Sequence, residues 1–504
     1  MDGRRRGVDP GPARPRGRRP DQRPDRRVAR RARRPRTRPR RRRVTLAPDG
    51  EVEAERRAQQ RAWSWYDWAN SAYVTTVGAV LFAPYLTSVA EVSACGRAGT
   101  VDDPCRTDLD LLGVAVSPGS LVFYVITATT ILSALVLPVV GAVADRSPSK
   151  RRLLGRFAWL GAAAATAMFF VTGDDWVLGA ALLAVANVAL GASLVVYDAL
   201  LCEVAAPDER DRVSSRAWAF GYLGGGLLLA VNLALVTSAE QLGLSTTVAV
   251  RICLATAGLW WAAFTVIPYL RLTDRPPAAL PTGAPRTGSL TRGSFAQLAT
   301  TLRESRQYPM TLTFLVAYLF YNDGIQTVIV SASVYGDKQL GFSQSVLIAT
   351  ILLVQFVAFG GALLFGRVAA RLGSRRTIMA GLVVWMGVVT VGFVLPAGQV
   401  VPFLALAAAI GIVLGGTQAL SRSLFSQLVP RGREAEYFSL YQACERGTSW
   451  LGTLVFGLVH QVTGSYRPAI LALIVFFVIG LVLLARVDAR RGIAEAGNRH
   501  PQLV

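Results

Sequence analysis

A handful of polar side chains interrupt stretches that are otherwise apolar, and their types limit the chemistry open to them. Asp323 lies in the middle of one such stretch, beside Asn322, before Gly324, and three residues ahead of Gln326. A carboxylate there can take up and release a proton or face a cation. The neighbouring glycine permits a local break that frees backbone carbonyls for a ligand. Asp67 opens a second set, with Asn70 and Tyr73 three and six residues on, so one helix face can present all three. Glu445 and Arg446 form a third, about two turns into another apolar run; being consecutive, they are expected to point in different directions. These residues suit reversible binding of a polar solute or a proton.

Catalytic chemistry finds no support. The chain has no His-Glu-x-x-His, Gly-x-Ser-x-Gly or Gly-x-x-x-x-Gly-Lys-Ser/Thr motif, and no Cys/His spacing that reads as a zinc site. No metal, cofactor or nucleotide is expected, and any energy would come from a gradient.

The elements that must position these residues are membrane helices. Hydrophobic residues make up 52% of the 504 and charged residues 17%, with the charges gathered between apolar runs of roughly twenty residues. Spans are expected near 65–89, 119–143, 153–172, 176–200, 215–238 and 248–270. Six more are expected near 309–333, 344–368, 377–396, 401–425, 438–460 and 467–487. The fold expected is all-α with twelve transmembrane helices in two six-helix bundles, 63–270 and 309–488. A connector at 271–308 and a tail at 489–504 complete it.

The net charge of +22 is concentrated in residues 1–43, whose twenty Arg and four Asp give +16. Residues 1–62 are read as a disordered Arg/Pro-rich tail, and its composition is that of GC-rich sequence upstream of a misassigned start. No specific nucleic-acid partner is expected. In the remainder, one set of alternate loops carries nineteen Lys and Arg and the other only Arg97, Arg106, Lys338 and Arg467. By the positive-inside rule the first set is cytoplasmic, as are both termini, in a multi-pass cell-membrane (inner-membrane) protein. Cys95 and Cys105 then flank an external loop, where an oxidising compartment allows a disulfide. Trp63, Trp65 and Trp68 read as interfacial anchors.

The two halves repeat. Gly141-Ala-Val-Ala-Asp145-Arg146 followed by Lys150-Arg151-Arg152 returns as Gly366-Arg-Val-Ala-Ala370-Arg371 followed by Arg375-Arg376, at a shift of 225 (366 − 141). Leu190-Gly191 returns as Leu414-Gly415 at a shift of 224 (414 − 190). The same shift pairs Asp198 with Arg422, and opposite charges at matched positions could bridge the halves and close one side. Asp145 could cap a neighbouring helix start.

The Gly-x-x-x-Asp-Arg loop resembles the signature of major facilitator transporters, although Pro148 and Ser149 stand near an expected glycine and Ala370 replaces the acid in the second copy. A narrower resemblance rests on Trp65-Tyr66-Asp67-Trp68-Ala69-Asn70-Ser71-Ala72-Tyr73 and Tyr321-Asn322-Asp323-Gly324-Ile325-Gln326-Thr327. Both are similar to the vacuole effluxer family of major facilitator permeases, whose fungal members are linked to autophagy and export amino acids from the vacuole. The resemblance covers roughly 61–488 and implies a secondary, alternating-access carrier of a small polar solute, with amino-acid efflux as the first expectation. A drug or sugar carrier of the same fold, or a receptor or scaffold that has lost transport, are the alternatives. Expected partners are the bilayer, a small-molecule substrate and protons. Substrate or proton candidates are Asp67, Asn70, Tyr73, Asn322, Asp323, Gln326 and Glu445; gate candidates are Asp145, Asp198 and Arg422.

Overall fold

A computed structural model describes residues 49–99, 105–111, 113–274, 303–447 and 449–503. The basic segment 1–43 and most of the 271–308 connector lie outside the described residues.

Eleven helices among the described residues are long and apolar enough to cross a membrane. The first crossing is α1 (Asp49–Tyr73), a π-helical segment Val74–Leu81, and α2 (Phe82–Cys95). There follow α3 (Pro118–Arg146), α4 (Lys150–Ala167), α5 (Trp176–Val204), α6 (Arg210–Thr237) and α7 (Thr246–Arg271). The second half contains α8 (Pro309–Val334), α9 (Gln344–Leu372), α10 (Ser374–Val394) and α11 (Val400–Leu428). The crossing expected at 438–460 falls on α12 (Glu434–Gly447) and α13 (Ser449–Thr463). α14 (Tyr466–Ala472) and α15 (Ile474–Arg486) make the last crossing, and α16 (Ala489–Glu495) follows it.

One expectation needs correction, at the N-terminal end. Residues 49–62 belong to α1 rather than to a disordered tail. Their run of Glu, Arg, Ala and Gln is strongly helix-forming yet too polar for a hydropathy reading to find. Residues 489–503 are likewise packed: Asn498 Nδ2 donates to the Gln427 and Val429 carbonyls at 2.8 Å each, and the Gln502 amide donates to Asp208 Oδ1 at 2.6 Å.

At the end of the molecule opposite the arginine-rich loops, β1 (Leu109–Leu111) pairs antiparallel with β2 (Val114–Val116), and Cys95 is joined to Cys105. Large apolar side chains such as Phe123, Ile131, Val231 and Val401 remain on the exterior, as a lipid-facing surface requires.

The halves meet most closely at two glycines related by the repeat. A Cβ on Gly141 would lie 2.6 Å from the Ala435 carbonyl oxygen of α12, and one on Gly366 would lie 2.7 Å from Ser215 Cβ of α6. Helices from opposite halves approach closely at both, against backbone at Gly141 and against a side chain at Gly366. These contacts bring α3 against α12 and α9 against α6 near the arginine-rich end.

Candidate functional site

Arg422 of α11 is the centre of a buried polar cluster that joins the halves. Its Nη2 lies 2.9 Å from Asp67 Oδ2 of α1, and its Nη1 lies 3.4 Å from Asp198 Oδ1 of α5. Nε donates to Ser214 Oγ of α6 at 3.0 Å. The guanidinium also sits over the rings of Trp63, Tyr197 and Trp218 at 4.9, 5.3 and 5.3 Å. Relative exposures of 2% for Arg422, 6% for Asp67 and 1% for Asp198 place all three charges out of contact with water. A guanidinium tolerates such burial because carboxylates, a hydroxyl and aromatic faces satisfy its fork and its planar surfaces together.

The matched positions of Asp198 and Arg422 thus bring their charges together, and Asp67 joins them as the nearer acid. Asp67 does not sit at the mouth of its helix. Because α1 starts at Asp49, Asp67 lies about five turns in, beyond the useful reach of the helix N-terminal dipole. Trp63 departs from its expected place as well: it is fully buried, stacked 4.3 Å from Tyr197, and donates its indole N–H to the Tyr197 carbonyl at 2.8 Å. Trp65 and Trp68 pack in an aromatic group with Phe220 and Phe264.

Gln442 carries the cluster further into the molecule. Its amide nitrogen donates to Asp198 Oδ2 at 2.8 Å and to Glu445 Oε2 at 3.2 Å, and its carbonyl oxygen accepts from Arg446 Nε at 3.3 Å. Glu445 and Arg446 therefore flank one side chain instead of diverging. Residues three and four positions beyond Gln442 both lie over the turn it occupies. Each is half-buried. Asn322 of α8 extends the same belt, donating to the Glu445 carbonyl at 3.2 Å and accepting from Gln418 Nε2 at 2.9 Å.

Other candidates stand apart from this belt. Asp323 turns the opposite way from Asn322, towards α13, where Oδ2 accepts from the Gly452 amide at 2.7 Å. Its Oδ1 is buried without a hydrogen-bond partner. Asn70 bonds to its own helix at the Tyr66 carbonyl, and Tyr73 donates to Asn187 Oδ1 at 3.0 Å. Gln326 is half-buried one turn beyond Asn322.

Asp145 forms a second seam. Its two carboxylate oxygens accept from the Ala435 and Glu436 amides, each at 2.9 Å, so it caps α12 across the boundary between halves. Lys150 Nζ bridges Asp145 and Glu203, at 3.5 and 2.7 Å. In the loop before α12, Arg433 keeps its charge above the ordinary guanidinium range; burial works against it, and Glu436 and Glu304 outweigh that burial. Ala370 cannot repeat the cap of Asp145. The symmetry-related seam is held instead by Asp211, which accepts from Ser423 Oγ at 2.6 Å, and by Arg210 Nη1 donating to the Ser426 carbonyl at 2.6 Å.

A family model described as vacuole effluxer Atg22 like matches residues 55–210 and 202–497. The chain belongs to the Atg22-like vacuole effluxer family. One relative is the MFS-type transporter YxiO of Bacillus subtilis, 29% identical over 429 residues that cover 85% of this chain and 94% of YxiO. Another is autophagy-related protein 22 of Yarrowia lipolytica, 26% identical over 473 residues that cover 77% and 79% of the two chains. Among solved structures, the proton:xylose symporter XylE superposes with a TM-score of 0.66 at 11% identity, covering 86% of this chain and 96% of XylE. A bacterial homologue of ferroportin in an outward-facing state gives 0.59 at 15% identity, covering 86% and 100%. At such identities the likeness shows the fold, which is that of the major facilitator superfamily. This effluxer-family chain is accordingly a multi-pass membrane transporter and not an enzyme.

Several residues of this buried cluster carry no separate signal in the sequence. Ser214, Tyr197 and Trp218 gain their roles only from proximity to Arg422, and Gln442 from its bond to Asp198.

Proposed function

We propose that this transporter moves a small zwitterionic solute of the amino-acid type by alternating access, with Glu445 and Arg446 reading its two charges. The observation that carries this reading is the pair itself: two opposite charges, half-buried, flank Gln442 and form no ion pair with each other or with another described side chain. An ammonium group would face Glu445, and a carboxylate would face the guanidinium of Arg446, whose fork suits bidentate recognition. Asn322, Gln326 and Gln418 supply neutral hydrogen bonds beside them.

Asp67, Asp198 and Arg422 act as the gate at the arginine-rich end, and Asp145 with α12 as its second contact. The positive-inside asymmetry and the oxidised Cys95–Cys105 pair support placing that end, with both termini, in the cytoplasm of a cell-membrane protein. Asp323 is the proton carrier. It lies midway along a membrane helix, one carboxylate oxygen accepts only the Gly452 amide, the other has no hydrogen-bond partner, and no cation lies within ion-pair distance among the described residues.

Purified protein in liposomes, supplied with a mixed pool of labelled amino acids, tests this. Uptake driven by a pH gradient is expected for wild type, with at least a tenfold loss in E445Q and in R446Q. D323N is expected to retain exchange of internal for external solute while losing the response to the gradient. Uptake of a neutral sugar or an apolar cation, insensitive to E445Q and R446Q, would overturn the zwitterion reading.

A further inference from the structure

The sequence Arg-Ala-Trp occurs at 61–63 in α1 and again at 216–218 in α6. Both tryptophans lie against the guanidinium of Arg422, and both arginines face away from it into a groove of about 580 Å³ between the two helices. Arg57 and Arg212 complete a ring of four guanidiniums around that groove, with Ala54, Gln60, Ser64 and Val213 on its walls. Arg57 pairs with Glu53, and Arg212 lies 3.8 Å from Glu209. Arg61 and Arg216 are exposed and have no carboxylate within ion-pair distance among the described residues.

The height of the groove is set by the sequence. Arg61 is the last cation of α1, with only Asp67 charged beyond it, and Arg216 is the last charge of α6. Both therefore lie where a helix leaves the hydrocarbon for the headgroup layer. A concave site there, with two uncompensated guanidiniums, suits a phosphate: each fork can donate two parallel hydrogen bonds to phosphate oxygens. Here four guanidiniums line one open groove, the arrangement in which basic residues at a membrane surface take an anionic headgroup.

We infer that the α1–α6 groove binds a phosphate-bearing anion, namely the headgroup of an anionic phospholipid. Occupancy acts on the gate through the groove wall. Ser64 lies one turn from Asp67, and Val213 precedes Ser214; Asp67 and Ser214 both hold Arg422. A phosphate bridging Arg61 and Arg216 fixes α1 against α6 at the separation from which both residues reach that guanidinium, and so strengthens the closed state.

Thermal unfolding of the purified protein in neutral detergent tests this, with phosphatidylglycerol, phosphatidylcholine or inorganic phosphate added separately. Phosphatidylglycerol is expected to raise the melting temperature by about 2–4 °C over phosphatidylcholine. R61Q/R216Q is expected to lose that gain, and R367Q/R371Q, which removes two exposed arginines elsewhere at the same end, to keep it. A54E places a competing carboxylate at an exposed position on the groove wall and is expected to lose the gain too, which covers the case of a double variant that fails to fold. An equal gain from inorganic phosphate, abolished by the same variants, supports the site and makes free phosphate a sufficient ligand. No gain in wild type, a gain that persists in R61Q/R216Q and A54E, or one lost equally in R367Q/R371Q overturns the proposal.

Discussion

Asp67 and Arg422 are separated by 355 positions in the chain, and their charged atoms lie 2.9 Å apart. One belongs to the first crossing and the other to the tenth, so the bond between them ties the two halves together at the arginine-rich end. Buried bonds of this kind contribute little as net stability but a great deal when one partner is removed.

R422Q leaves Asp67 and Asp198 buried without a cation, which costs about 3–5 kcal/mol in the closed state. Cys202 reports the result, since its thiol faces the Ser426 carbonyl across the same seam. In a background lacking Cys253 and Cys444, maleimide labelling of Cys202 is expected to accelerate at least tenfold in R422Q. R422K, which keeps a cation between Asp67 and Asp198, should stay closer to the wild-type rate.

The Asp145 cap makes a smaller contribution. Truncation to alanine removes two acceptors from the start of α12 and is expected to cost about 1–2 kcal/mol of the closed state. The melting temperature and the Cys202 labelling rate should both move in the direction of R422Q, by less. A370D should not compensate, because the symmetry-related seam is held by Asp211 and Arg210.

The two seam glycines should respond differently to a methyl group. G366A meets the Ser215 side chain, so S215G is expected to restore activity to the double variant. G141A meets the backbone of Ala435 and Glu436, and no single side-chain truncation should relieve it. Transport assays on the three variants separate the cases; rescue of G141A by a second-site truncation in α12 would refute the backbone contact.

Reduction of Cys95–Cys105, ten positions apart, opens a short loop and is expected to lower stability by about 3 kcal/mol if chain entropy is the main term. A reductant that cannot cross membranes should suffice in intact cells. If only a permeant reductant lowers the melting temperature, the loop faces the cytoplasm and the proposed orientation is inverted.

Much of this was legible because the protein is written twice. The repeat placed Asp198 opposite Arg422 before any coordinate was known, and the Gly141 and Gly366 loops mark the two seams. Asp67 is a candidate in the sequence, but its pairing with Arg422 is not legible there, for a definite reason. Hydropathy finds where a helix becomes apolar and not where it begins, so the polar turns from Asp49 to Arg61 read as a tail and leave the depth of Asp67 in its helix illegible. Glu445 and Arg446 were read as diverging because the angle between neighbours was considered without the turn before them, which holds Gln442. The cap on α12 could be anticipated as a cap, but its location in the other half depends on helix packing that no local pattern encodes.

Gln442 has a consequence for how cargo is counted. The same amide that holds Asp198 in the gate also holds Glu445, which faces the solute in the proposed mechanism. A solute that claims Glu445 competes for that amide and so draws one hydrogen bond away from the gate. In the proposed mechanism a vacant carrier would keep both bonds and stay shut. Idle cycling, in which the protein changes sides empty and dissipates a driving gradient, would then be suppressed.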